Sequence, residues 1–163
     1  MKTLLKIAAA IVFFVALLLV VLSMTGLEPR QRRPGLWLRG HLVTTPVADW
    51  SFADQVSSVE VQTRTWYLLP HSVTTYCVSY HGRLYLDSFY PPGIEYPHGR
   101  SWNENVMRDP HARLKIGNNL YDVTLSHDTD PADKAAVLQL VAKKYPQLKI
   151  PSESQVVLFR VTE

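Results

Sequence analysis

Residues 97–117 read P-H-G-R-S-W-N-E-N-V-M-R-D-P-H-A-R-L-K-I-G, and this stretch sets the order of elements around it. Ser101-Trp102-Asn103-Glu104 has the form of a capping box: Ser101 accepts from the N3 amide and Glu104 reaches back. The helix must stop near Asp109-Pro110, because proline pushes the residue before it out of helical backbone. Residues 113–116 and 120–125 flank Gly117-Asn118-Asn119 and predict a hairpin.

Working upstream, Val59, Val61 and Thr63 alternate with polar partners, and residues 73–80 are β-branched and aromatic. Residues 84–88 follow a His81-Gly82 turn, which reads as a second hairpin. Downstream, Asp130 is an N-cap, Pro131 takes the first helical position and Asp133 the first turn of a helix running to about Tyr145, before Pro146. Ala136 and Leu140 give that helix an apolar stripe, and Lys143-Lys144 suit its negative C-terminal end. Residues 156–161 form a last strand. The order is strand, hairpin, short helix, hairpin, longer helix, strand, an α+β and mainly β arrangement. A sheet of about six strands commonly curls into a barrel to remove its edges.

The amino-terminal end obeys a different logic. Lys2 and Lys6 precede an apolar, uncharged run over residues 7–27. At about 1.5 Å per residue it spans a hydrocarbon core of roughly 30 Å, as a membrane helix or a secretion signal. Residues 20–26, V-V-L-S-M-T-G, lack the small-residue cleavage pattern, so residues 1–27 read as an uncleaved, single-pass anchor in membrane lipid. Arg30, Arg32, Arg33 and Arg39 outweigh the two lysines and place the body weakly on the cytoplasmic side, although the short lysine-bearing tail argues the reverse. The same arginines suit a basic stem held against anionic headgroups. Residues 28–55, with Trp37, Trp50 and Phe52, read as this stem and a wrapping arm, and residues 56–163 as the barrel domain.

Composition narrows the chemistry. Net charge is +3 and sits mostly at the membrane end, so nothing suggests a nucleic-acid surface. The single cysteine, Cys77, forms no internal disulfide and reads as a buried, inert thiol in an apolar strand. The six histidines (His41, His71, His81, His98, His111 and His127) show no i, i+4 pair and no cysteine partner, hence no zinc signature. There is no G-x-S-x-G elbow, P-loop or dinucleotide fingerprint, and Asp87 with Glu95 makes no credible acid–base pair. Hydrolase and nucleotide-motor readings drop out.

The succession of a hairpin, the 97–117 segment with its tryptophan, asparagines and Asp-Pro stop, an R-x-x-I strand and a helix ending K-K-Y-P resembles the split β-barrel superfamily of flavin- and deazaflavin-binding proteins. Its members include pyridoxamine-phosphate-oxidase-like proteins and deazaflavin-dependent nitroreductases. The resemblance covers roughly residues 56–161. It implies a split β-barrel of about six strands with two helices after the N-terminal one, a homodimer, and an oxidoreductase using FMN or a deazaflavin. The cofactor-binding residues it implies are His71, Ser72 and Thr74, on the strand lining the groove, and His98, Arg100 and Ser101, at the helix junction where a phosphate would sit. Trp102 or Tyr90 would wall the ring. No catalytic residue is assigned.

Read without the resemblance, the same residues have plainer roles. Ser101 is a cap, Arg100 a solvated side chain, and Ser72 and Thr74 polar positions on one strand face with Tyr76. The segment R-T-W-Y-L-L-P-H, residues 64–71, also departs from the basic, glycine-containing approach of the nitroreductase-like members. The alternative is therefore an anchored, non-catalytic binding or assembly module, with the aromatic loop at residues 89–96 gripping its ligand or packed as a lid.

Overall fold

Two tight turns pin the strand registers. His81 and Gly82 both take positive φ, 51° and 74°, the primed-turn geometry that a right-twisted hairpin needs. Gly117, at φ 62°, turns the second hairpin, with Ile116 opposite Asn119. The structure is a computed structural model that describes residues 2–151 and 153–163; Met1, the first residue of the expected anchor, lies outside them. Its elements are α1 (Lys2–Thr25), β1 (His41–Leu42), β2 (Val59–Arg64), β3 (Pro70–Thr75), β4 (Cys77–Tyr80), β5 (Arg83–Tyr90), α2 (Ser101–Arg108), β6 (His111–Ile116), β7 (Asn119–Asp128), α3 (Pro131–Lys144) and β8 (Gln155–Thr162).

The strands form one sheet in the order β3-β2-β6-β7-β8-β5-β4, antiparallel throughout apart from β1, which pairs in parallel with β7. Its two edges, β3 and β4, are separated in the chain by Tyr76 alone. The sheet therefore has to curl until its edges meet at that residue, which is the closure of a split barrel. The expected continuous strand over residues 73–80 is longer at its start and broken at Tyr76. Six long strands are recovered when β3 and β4 are taken as one bent strand.

Both faces of β5 are covered. Leu84, Leu86 and Tyr90 point into the barrel with Val59, Val61, Leu114 and Phe159. Tyr85, one position out of phase, packs under α3 against Val137, Val141 and Tyr145. This explains why β5 reads as an almost unbroken apolar run. Asp130 caps α3 as expected, its Oδ1 accepting from the Ala132 amide at 2.8 Å, with Pro131 in the first turn.

The start of α2 differs from expectation. Arg100 occupies the N-cap, in extended backbone and without a side-chain cap, and Ser101 is the first helical residue. Glu104 does reach back, but to the Gly99 amide at 3.0 Å. A helix displaced by one residue swings Trp102, Asn103, Asn105 and Val106 into the barrel mouth. Asn103 donates there to Ser88 and Tyr90, and Asn105 to Thr63.

Residues 28–55 lie along the barrel. Gly35 and Ser72 exchange backbone bonds of 2.8 and 3.0 Å, extending the free side of β3. A Cβ at Gly35 would stand 2.2 Å from the Leu27 carbonyl, so only glycine admits this approach. Further on, the Trp50 ring is 4% exposed, 5.2 Å from Tyr121 and 5.8 Å from Phe52 between centroids. No residue of α1 is buried among the described residues, and α1 is long and apolar enough to cross a membrane.

Trp50 is thus the main apolar pin of the arm. Trp50→Ala is expected to destabilise the chain by about 3–5 kcal/mol, read as a lower denaturation midpoint, whereas Phe52→Ala at the exposed end of the same cluster should cost well under half of that.

Candidate functional site

A cleft of about 520 Å³ opens beside the corner at Tyr76. There the strand leaves β2 and joins β5, so ladder pairing lapses and the Thr75 hydroxyl takes over, donating to the Asp87 carbonyl at 2.8 Å. Thr74 and Tyr76 form one wall and Asp87 to Phe89 the floor. Trp102 and Arg100 come from the start of α2, Tyr145 from the end of α3, and Arg32 from the stem. The Arg100 guanidinium donates to the Phe89 carbonyl at 2.6 Å, which fixes its root at the rim.

Of the residues expected to bind cofactor, Thr74, Arg100 and Trp102 meet in this cleft, while His71, Ser72, His98 and Ser101 are outside its lining. Ser72 is fully buried beneath the Gly35 bridge. His71 is half-buried toward the far end of β3, and burial lowers its ring pKa. His98 and Ser101 are exposed. Tyr90, the other expected ring wall, is completely buried in the barrel core, and burial pushes its phenol up to about 12. Of the segment 89–96, Phe89 and Tyr90 end β5, residues 91–95 are exposed, and Tyr96 packs on Phe159 and His127.

The floor carries the least expected group. Asp87 is 3% exposed, and neither carboxylate oxygen has a hydrogen-bond partner among the described residues. Burial pushes its carboxyl up to about 7; its own backbone amide and the Lys144 charge oppose this only in part. The Lys144 ammonium is engaged elsewhere, donating to the carbonyls of Cys77 at 2.8 Å and Ala53 at 3.1 Å, with Asp54 at 3.6 Å. The Tyr145 hydroxyl donates to the Cys77 carbonyl at 2.9 Å and accepts from its amide at 3.2 Å. Burial raises the Cys77 thiol, in line with an inert side chain.

A cleft of this size suits a small organic ligand. Its chemistry is specific: cations at the rim, aromatic faces on the walls, and at the floor a carboxyl that near neutrality can donate or accept a hydrogen bond. A larger groove of about 710 Å³ crosses the outer face of β2, β6 and β7. Its charges already answer one another: Arg64 with Asp109 and Arg113 with Asp122, each at 2.6 Å. The Arg64 and His111 hydrogen bonds hold Asp109 down at about 2.

Sequence reasoning missed Asp87, Tyr145 and Arg32 as members of the site. The only local signal for Asp87 is an acid inside the apolar run Leu84-Tyr85-Leu86-Asp87. Arg32 reaches the cleft only because the arm doubles back along β3.

No protein-family model and no curated protein sequence matches the chain. Solved structures do match in shape. A structure described as a domain-swapped dimer superposes with a TM-score of 0.53 at 17% identity, over 65% of this chain and 80% of that one. A conserved hypothetical protein from Mycobacterium tuberculosis gives 0.51 at 13% identity, over 68% and 75%. An F420-H2-dependent reductase, FDR-A, gives 0.50 at 18% identity, over 65% and 94%. These likenesses show a shared fold, the curled antiparallel sheet that closes at Tyr76.

The Asp87 carboxyl makes stability depend on pH. Its folded-state value lies above the ordinary 3.8, so the folded chain holds this proton longer than the unfolded one. The contribution is favourable at about pH 4, falls as pH rises toward 7, and is flat above that. The loss is on the order of 4 kcal/mol. Denaturation midpoints of Asp87→Asn should lack this fall, so that the variant gains on the native chain between pH 4 and 8.

Proposed function

We propose that this chain is a membrane-anchored oxidoreductase that binds FMN or a deazaflavin in the cleft at the Tyr76 corner. The observation carrying this reading is the donor set itself: an unpartnered buried carboxyl at the floor, two arginines at the rim and aromatic walls between them. Arg32, Arg100 and Thr74 would hold the phosphate, where charge-assisted hydrogen bonds are strongest. Trp102 and Tyr76 would flank the ring, and Asp87 would meet a polar ring edge. The bound group supplies the electron or hydride transfer, and the chain supplies binding, orientation and electrostatics.

The fold shared with a structure described as an F420-H2-dependent reductase supports the cofactor class, and the domain-swapped dimer among the similar structures supports a homodimer. The exposed apolar α1 supports single-pass anchoring, with the arginines of the stem on the cytoplasmic side. Such a location suits a lipophilic electron acceptor. A second reading, an anchored module without cofactor, is favoured by the apolar Trp66-Tyr67-Leu68 tip, which stands where the nitroreductase-like members carry a basic approach.

Titration of the purified full chain with FMN and with F420, followed by visible absorption and fluorescence, tests the assignment. Binding of one of them is expected, weakened about 10- to 100-fold in Arg100→Ala. A chain that stays colourless with both cofactors supports the second reading.

A further inference from the structure

We infer that the β2–β3 hairpin tip, Trp66-Tyr67-Leu68, is a second membrane contact, resting in the headgroup layer of the bilayer that α1 would cross. The inference rests on the anchored reading above and adds to it a fixed posture for the barrel.

The tip is among the most apolar exposed features of the body. Trp66, Tyr67 and Leu68 are 77%, 54% and 74% exposed. They do not dangle. The Thr65 amide donates to the Leu69 carbonyl at 2.9 Å, the Leu68 amide to the Thr65 carbonyl at 3.0 Å, and the Thr65 hydroxyl to the Leu69 carbonyl at 2.7 Å. Leu68 is held at φ 67°, a conformation that side chains bearing a Cβ rarely adopt, so the turn keeps its apolar groups turned outward against a local cost. Trp66 and Tyr67 meet edge to face, with ring centroids 5.2 Å apart. Two aromatic residues with polar tips beside a leucine have the composition of a membrane-interface belt, where the ring is apolar and its N–H or O–H stays wet.

Position supplies the second argument. The Leu27 amide, just past the end of α1, donates to the Trp37 carbonyl at 3.0 Å. Trp37 and Leu68 line the same groove. The tip and the stem residue that binds the exit of α1 therefore open onto one groove on the same side of the barrel. Charge supplies the third: Arg30, Arg33 and Arg39, on the stem that leaves α1, are exposed and fit anionic headgroups. A bilayer meets all three features together, and it is the occupant we assign.

The experiment uses the full chain reconstituted into phosphatidylcholine vesicles containing phosphatidylglycerol and lipids carrying a quencher near the headgroup. Flotation with the vesicles reads the anchor; tryptophan quenching reads the tip. Trp50 and Trp102 are buried and Trp37 is half-buried on the stem, so all quenching is measured in a Trp37→Phe background, in which Trp66→Phe removes the one remaining exposed indole. The expected result is a chain that floats and whose emission is quenched, with most of that quenching lost in Trp66→Phe. A floating chain whose quenching is unchanged by Trp66→Phe, or absent, overturns the tip contact while leaving the anchor standing. A chain that does not float overturns the anchored reading and this inference with it. Loss of self-cross-linking in Trp66→Phe, with quenching unaltered, would hand the tip to a second copy of the chain and overturn the inference.

Discussion

One strand belongs to both edges of the sheet, and the bend at Tyr76 that allows this governs the rest of the molecule. A curled sheet needs its last edge covered, and here the chain covers it by leaving β2 and joining β5 within one residue. At such a corner neither ladder is complete, so backbone groups must find other partners. The Thr75 hydroxyl serves one, and the end of α3 serves the rest: Tyr145 bonds both the amide and the carbonyl of Cys77, and Lys144 adds a donor to that carbonyl. The cleft is the space that these repairs leave open. Its position is therefore a consequence of barrel closure, and the α3 packing that stabilises the corner also shapes the site.

The same repairs explain the unusual state of Asp87. The Lys144 charge acts on it, yet that ammonium is committed to two carbonyls and to Asp54. A buried carboxyl without a partner costs free energy, and it escapes most of that cost by keeping its proton. Buried unsatisfied groups are few in folded proteins, and those in clefts are candidates for ligand contact. The groove on the outer face of the sheet makes the contrast. It is larger, but its arginines and aspartates already pair, and nothing in it waits for a ligand.

How much of this was legible in the sequence follows from the range of each interaction. Both hairpins were, because positive φ at His81, Gly82 and Gly117 is a property of turn residues; so was α3, whose cap and proline are local. The break at Tyr76 was not, since β-branched and aromatic residues read alike on both sides of a bend that long-range pairing imposes. The shift of the α2 cap from Ser101 to Arg100 was also hidden. Burial of Trp102 and Asn103 in the barrel mouth outweighs a side-chain cap worth about 1 kcal/mol. Of the residues lining the cleft, Thr74, Arg100 and Trp102 could be brought together from sequence because they flank the barrel end; Ser72 lies outside the lining because the stem, remote in sequence, pairs over it. Asp87 and Arg32 lay beyond reach for the same reason, as each acquires its role only from elements far along the chain.

The stem joins the two halves of the molecule and makes their arrangement more than a tether. A flexible linker would have left the barrel free to tumble about its helix. Here Gly35 is paired to Ser72, Leu38 donates to Gln62 at 2.7 Å, and Glu28 binds Lys115 and the Arg39 amide, so the chain leaving α1 is fixed along the outside of β2 and β3. The same segment delivers Arg32 to the cleft. One short run of residues therefore sets both the direction in which α1 departs and the charge at the rim of the site, and a change that loosened the Gly35 bridge would be felt at both.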